Sequence, residues 1–146
     1  MNASFHATSP DQTLADAAKE MLSRRISTLP VVDAQKRLVG ALYIEDLLPK
    51  VEPVPFTEDV EAFKLFDRWL DERNLESFYE NYRQVLVQKL MHQRIHTVSP
   101  DDTLTVVLRA IRRSNFRSLF VINEQSHLLG LISRSDLLRL LLGVDV

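Results

Sequence analysis

A shift of 90 positions lays one end of this chain on the other without a gap. It sets Ser9-Pro10-Asp11 on Ser99-Pro100-Asp101, Thr13-Leu14 on Thr103-Leu104, and Asp46-Leu47-Leu48 on Asp136-Leu137-Leu138. Leu29, Val31, Gln35, Leu38 and Gly40 fall on Leu119, Val121, Gln125, Leu128 and Gly130. Of the 40 pairs from Ser9/Ser99 to Leu48/Leu138, 13 are identical, and most others keep their class, as in Met21/Ile111, Val32/Ile122 and Asp33/Asn123. The chain is therefore a tandem duplication. Each copy must be a supersecondary unit that completes its core against the other, which limits the fold more tightly than any composition value.

Both copies read alike. Ser-Pro-Asp is a helix-entry signal with acids in the first turn, and Leu14, Ala17, Ala18 and Met21 recur at helical spacing, as do Leu104, Val107, Leu108 and Ile111. Leu29-Pro30-Val31-Val32 and Leu119-Phe120-Val121-Ile122 are short apolar runs rich in β-branched residues. Polar turns at 33–37 and 123–127 separate them from the strands Leu38–Leu42 and Leu128–Ile132. Second helices follow over Ile44–Leu48 and Arg134–Leu142, and lead strands are expected at Phe5–Thr8 and Ile95–Val98. The expected fold is α/β: two β-α-β-β-α repeats packed about a pseudo-two-fold, covering residues 1–50 and 85–146.

Residues 51–84 differ in character. Pro53 and Pro55 keep Val51–Pro55 extended. Thr57 reads as an N-cap before a stripe of Val60, Phe63, Phe66, Trp69 and Leu70, and a second stripe runs Leu75, Phe78, Tyr79, Tyr82, Leu86. The expectation is an inserted helical hairpin that either covers the repeats or serves as an interface. The insertion carries nine acids and four bases, net −5, whereas residues 85–146 carry eight bases and five acids, net +3.

The pattern Ser-Pro-Asp-x-Thr-Leu, a helix, Leu-Pro-Val-Val-Asp, then Leu-Val-Gly and a terminal Asp-Leu-Leu resembles the CBS domain, which occurs in tandem pairs (Bateman modules). The second copy is closest to it, at Met91, Thr97–Leu104 and Gly130-Leu131-Ile132-Ser133-Arg134-Ser135-Asp136. The resemblance implies a non-catalytic regulatory module that forms a homodimer and binds an adenosine-containing ligand, such as AMP, ADP, ATP or S-adenosylmethionine, between the copies. A partner protein would then read the bound state.

The residues themselves give that chemistry a basis. Ser133 stands where strand meets helix, so its hydroxyl and the unpaired first-turn N–H groups can face an anion. Asp136 can accept both ribose hydroxyls, and Arg134 puts a cation where the helix dipole disfavours one unless an anion binds. The same Ser133-x-x-Asp136 spacing is close to a capping box, which needs no ligand. By the resemblance, Arg117 and Ser118 lie against the base, and His6 reaches this site from the other copy's lead strand; Ser135 completes the motif. The first copy departs from the pattern, with Tyr43 in place of the serine and Glu45 in place of Ser135. A weaker second site would comprise Asp46, Tyr43, Ser27, Thr28, Arg94 and His96.

Other functions find little support. Zero cysteines exclude disulfide scaffolds, thiol nucleophiles and Cys-type metal sites, and suit a reducing, cytoplasmic setting. Three glycines leave no glycine-rich phosphate loop, and a net charge of −2 argues against a general nucleic-acid binder. His92 and His96 precede a strand without a third ligand in step, so no metal centre is expected. No apolar run is long enough to insert in a membrane, and Leu137–Leu142 suits a helix-helix dimer contact. The alternative to a nucleotide sensor is a ligand-independent dimerisation or protein-interaction scaffold that uses the aromatic insertion.

Overall fold

In chain order the elements are α1 (Leu14–Arg24), β1 (Thr28–Val32), β2 (Leu38–Tyr43), a 3-10 turn (Ile44–Leu47), β3 (Lys50–Pro53), β4 (Glu61–Leu65), β5 (Arg68–Leu70), α2 (Leu75–Gln84), α3 (Val87–Leu90), β6 (Thr97–Val98), α4 (Leu104–Arg112), β7 (Ser118–Ile122), β8 (Leu128–Ser133) and α5 (Arg134–Leu142). This computed structural model describes residues 5–48, 50–53, 61–65, 68–70, 75–112 and 118–143. One compact unit gathers the described residues of Ser9–Leu29 and Leu42–Met91; the other gathers those of Met1–Thr8, Pro30–Ala41 and His92–Val146.

The repeat extends to single hydrogen bonds. Ser9 and Ser99 begin turns (Gln12 N–H to Ser9 O, 3.2 Å; Asp102 N–H to Ser99 O, 3.1 Å), and the helices start at Thr13 and Thr103. Each threonine hydroxyl accepts from the N–H three residues on, Asp16 at 3.2 Å and Val106 at 3.4 Å. In the hairpin turns, Asp33 Oδ1 accepts from the N–H groups of Gln35 and Arg37, both at 2.9 Å. Asn123 Oδ1 does the same for Gln125 at 2.9 Å and His127 at 3.0 Å. Lys36 (φ 63) and Ser126 (φ 64), 90 positions apart, both adopt the left-handed conformation these turns require.

In the unit that holds the second copy, β6 runs parallel to β7, and β7 pairs antiparallel with β8. Val98, Leu119 and Val121 form its buried centre, against which Val107, Ala110 and Ile111 of α4 and Leu129 and Ile132 of β8 pack. The first copy's hairpin meets this layer turn to turn: Leu38 N–H donates to Ser126 O at 2.9 Å, and Arg37 bridges His127. In the other unit, α1 buries Leu14, Ala17 and Met21. The Tyr82 hydroxyl on α2 donates to Leu47 O at 2.9 Å. No helix among the described residues is long and apolar enough to cross a membrane.

Three local expectations change. The lead strands are shorter: β6 is two residues, and in the first copy only Thr8 pairs, parallel to Val31. The first copy's second helix is a 3-10 turn over Ile44–Leu47, and Tyr43 at its start makes no side-chain cap. Gly130 lies inside β8 opposite Val121, beside a register shift at Val121/Ile122. The first stripe of the insertion forms an antiparallel sheet, β3-β4-β5, in place of a helix. Phe63 faces Val51 on one side and Leu70 on the other in the register, so apolar residues spaced for a helix stripe also align as a cross-strand row. Thr57, Val60 and Phe66 lie outside the described residues. The second stripe does form a helix, α2, which ends at Gln84, before Leu86.

Candidate functional site

The strand-to-helix junction of the second copy brings together Ser133 and Asp136 with Ser118, which is distant from them in sequence. Ser133 ends β8 in an extended conformation (φ −90, ψ 170) and caps α5. Its hydroxyl accepts from the Asp136 N–H at 3.1 Å, while its own N–H donates to Asp136 Oδ2 at 3.0 Å. This reciprocal pair is a capping box, so the ligand-free reading of Ser133-x-x-Asp136 is realised. Ser118, only 5% exposed, sits directly opposite Ser133 in the β7-β8 register. The sheet thus brings Ser118, Ser133 and Asp136 together.

Arg139 is a contact that the sequence reading missed. Its guanidinium donates to Asp136 Oδ1 at 3.3 Å across one helical turn. The signal was present as an acid and a base three apart on one helix face. Burial of the Asp136 carboxyl works to raise its pKa, but bonds from the Ser133 N–H and hydroxyl, with the charge of Arg139, hold it below its ordinary value of 3.8. The group is a carboxylate at neutral pH. A carboxylate has about four acceptor positions, so beyond the contacts with Ser133 and Arg139 capacity remains for a further donor. Arg134 and Ser135 are exposed on the first turn of α5, where N–H groups have no intrahelical acceptor.

His6 is half-buried, two residues before Thr8, whose N–H donates to Pro30 O at 2.9 Å. Arg117 lies outside the described residues.

The corresponding junction of the first copy is built differently. Tyr43 stands at the equivalent of Ser133, is 9% exposed and gives no cap to the turn that follows. The Ile44 N–H instead donates to Ser27 O at 2.9 Å, which ties the junction to the residue before β1. Asp46 and Thr28 are half-buried and Ser27 is exposed. Arg94 and His96 belong to the other compact unit and are both exposed; the His96 carbonyl accepts from Phe120 N–H at 3.1 Å.

Two α/β repeats joined through their hairpin turns, each ending on a strand-to-helix junction with a conserved spacing inside the chain, define a tandem repeat module. Comparison with known proteins gives it a family. The CBS domain family model matches residues 1–52 and 87–143, about three quarters of the chain. The chain belongs to the CBS domain family as a tandem pair, and its fold is the mixed α/β fold of such pairs.

Among its relatives is a CBS domain-containing protein of Dictyostelium discoideum, 30% identical over 144 residues, covering 99% of this chain and 89% of that protein. An uncharacterised 17.7 kDa protein of Acidianus ambivalens is 27% identical over 95% of this chain and 68% of its own length. Among solved structures, CBSX2 of Arabidopsis thaliana in complex with AMP superimposes with a TM-score of 0.69 at 22% identity, covering 95% of this chain and 88% of that one. The CBS domain pair of MJ0100, solved with 5'-methylthioadenosine and S-adenosyl-L-methionine, gives 0.68 at 17% identity, covering 98% and 92%.

Proposed function

We propose that this chain is a non-enzymatic regulatory module that binds an adenosine nucleotide of the AMP, ADP or ATP class through the second repeat. The observation that carries the proposal is the Ser118–Ser133–Asp136 cluster at the β8-to-α5 junction. Asp136 is an ionised, half-buried acceptor with capacity left for a ribose hydroxyl. The exposed first turn of α5, with Ser135 and Arg134, is the place for the phosphate, which offsets the unfavourable position of that cation. By the family resemblance, Arg117 and His6 contribute on the base side. Two neighbouring structures hold adenosine compounds, which supports the ligand class.

One site dominates in this reading. The first copy places a buried Tyr43 where the cap would stand and an exposed Glu45 at the equivalent of Ser135, and that acid opposes a phosphate. The protein acts as a homodimer whose geometry an effector protein reads. In support, α5 buries no residue, and Leu138, Leu140, Leu141 and Leu142 are 58–67% exposed. The same leucines favour the second reading, a scaffold that dimerises without ligand.

Thermal unfolding with AMP, ADP, ATP, S-adenosylmethionine and NAD separates the two. A ligand at about 100 times its dissociation constant adds about 2.7 kcal/mol and raises the midpoint by several degrees. No shift with any of them at millimolar concentration refutes nucleotide sensing and leaves the scaffold.

A further inference from the structure

A ribose offers two neighbouring hydroxyls, each able to donate one hydrogen bond and to accept others. Asp136 turns Oδ2 back to the Ser133 N–H at 3.0 Å and presents Oδ1 to Arg139 at 3.3 Å, with capacity left for a further donor. One hydroxyl is thereby served, and its neighbour needs a different group. Arg139 lies one turn along α5 on the same helix face, and a helical side chain leans toward the N-terminus, which returns the guanidinium to Asp136. Arginine carries five N–H donors in a planar fork. Among the described residues, Asp136 is the only hydrogen-bond or ion-pair partner of that fork, so most of its donors are unused. The Arg139 and Asp136 side chains are 47% and 23% exposed, which leaves the guanidinium open to a molecule from solvent. An exposed pair of this kind contributes little to stability, so sharing it with a ligand costs the fold little. The first copy has no counterpart, because the 90-residue shift sets Pro49 on Arg139, and a proline side chain has no donor.

We propose that Arg139 is a ligand-binding residue of the nucleotide site, the donor half of a clamp on the ribose diol whose acceptor half is Asp136. One hydroxyl donates to Asp136 Oδ1, and the oxygen of the neighbouring hydroxyl accepts from an unused N–H of Arg139. The guanidinium keeps its contact with the carboxylate, so the two charges offset each other and the pair suits a neutral diol. A ribose that lacks either hydroxyl leaves one half of the clamp unpaired. Resting on the nucleotide reading of the Asp136 junction, this adds the feature that is selected, an intact pair of ribose hydroxyls. It also gives the difference between the two copies a further cause, since the first has Pro49 at the clamp position.

Isothermal titration of AMP, 2'-deoxy-AMP and 3'-deoxy-AMP into the full wild-type chain and into Arg139→Met is the test. Methionine keeps the reach and the helix propensity of arginine and removes every donor. The wild type should bind AMP at least about tenfold more tightly than either deoxy analogue. In Arg139→Met, AMP should weaken about tenfold, while the analogue without the hydroxyl that faces Arg139 stays within about twofold of its wild-type affinity. A general loosening of α5 would weaken all three ligands alike. Wild-type AMP binding that Arg139→Met leaves unchanged or tightens, or equal weakening of the three ligands, overturns the clamp and leaves the nucleotide site standing. No AMP binding by the wild type overturns the nucleotide site and the clamp together.

Discussion

Removing the Asp136 carboxylate tests the junction as a structural device before any ligand is added. Asp136→Ala deletes the acceptor of the Ser133 N–H at 3.0 Å and the partner of Arg139 at 3.3 Å. A hydrogen bond to a charged group contributes about 1.5–3 kcal/mol, the lower end applying to a half-exposed site, and the exposed Arg139 pair adds a few tenths at most. The expected loss is about 1.5 kcal/mol. Ser133→Ala removes a helix cap worth about 1 kcal/mol. The two act on one reciprocal pair, so the double variant should lose less than the sum, by about 0.5 kcal/mol or more.

Urea unfolding at pH 7 measures all three. The pH dependence follows from the lowered pKa of Asp136. Its stabilisation is complete above the unfolded value near 3.8 and is lost as pH falls through the lower folded value. The penalty of Asp136→Ala should therefore shrink in acid relative to pH 7. Additive losses together with a penalty independent of pH would refute the capping-box reasoning.

Three further outcomes follow from the same geometry. Tyr82→Phe should cost about 1 kcal/mol through the lost bond to Leu47 O, measured by urea unfolding. Burial raises the Tyr82 pKa above 10, so this group's stabilisation is full below pH 10 and fades as pH rises through the folded value; the Phe variant should lack that part of the alkaline decline. Leu14→Ala should cost about 2–5 kcal/mol, whereas Leu104→Ala, half-exposed at the matching position, should cost clearly less, and equal losses would contradict the asymmetry between α1 and α4. Lys36→Gly and Ser126→Gly should each stabilise by about 0.5–1 kcal/mol and by similar amounts, since both residues hold φ near 63–64 in the same turn; a drop in Tm for either counts against that backbone assignment.

Much of this was legible because the chain states its pattern twice. Asp33 and Asn123 differ in charge, yet both offer a carbonyl-type oxygen to the same two N–H groups, and the alignment marked them as one position. Ser133 and Asp136 could be read as a cap because an i,i+3 pair has one geometry at a helix start. Where no second copy exists to compare, the reading was weaker. The stripe Val60, Phe63, Phe66, Trp69, Leu70 fits a helix period, but Val51, Phe63 and Leu70 align as well across β3, β4 and β5, and periodicity alone does not choose between the two. The 3-10 turn at Ile44–Leu47 has no signal in the local pattern that separates it from a short α-helix, and the contact of Arg139 with Asp136 depended on a rotamer.

The central claim is that one adenosine nucleotide site, at Asp136, governs binding. Isothermal titration of AMP into the wild-type chain, Asp136→Ala and Asp46→Ala tests it most directly, with each variant first verified as folded by its unfolding transition. The account predicts one site per chain in the wild type, loss of binding in Asp136→Ala, and binding within about threefold of wild type in Asp46→Ala. Equal losses in the two variants, or undiminished binding by Asp136→Ala, would contradict it.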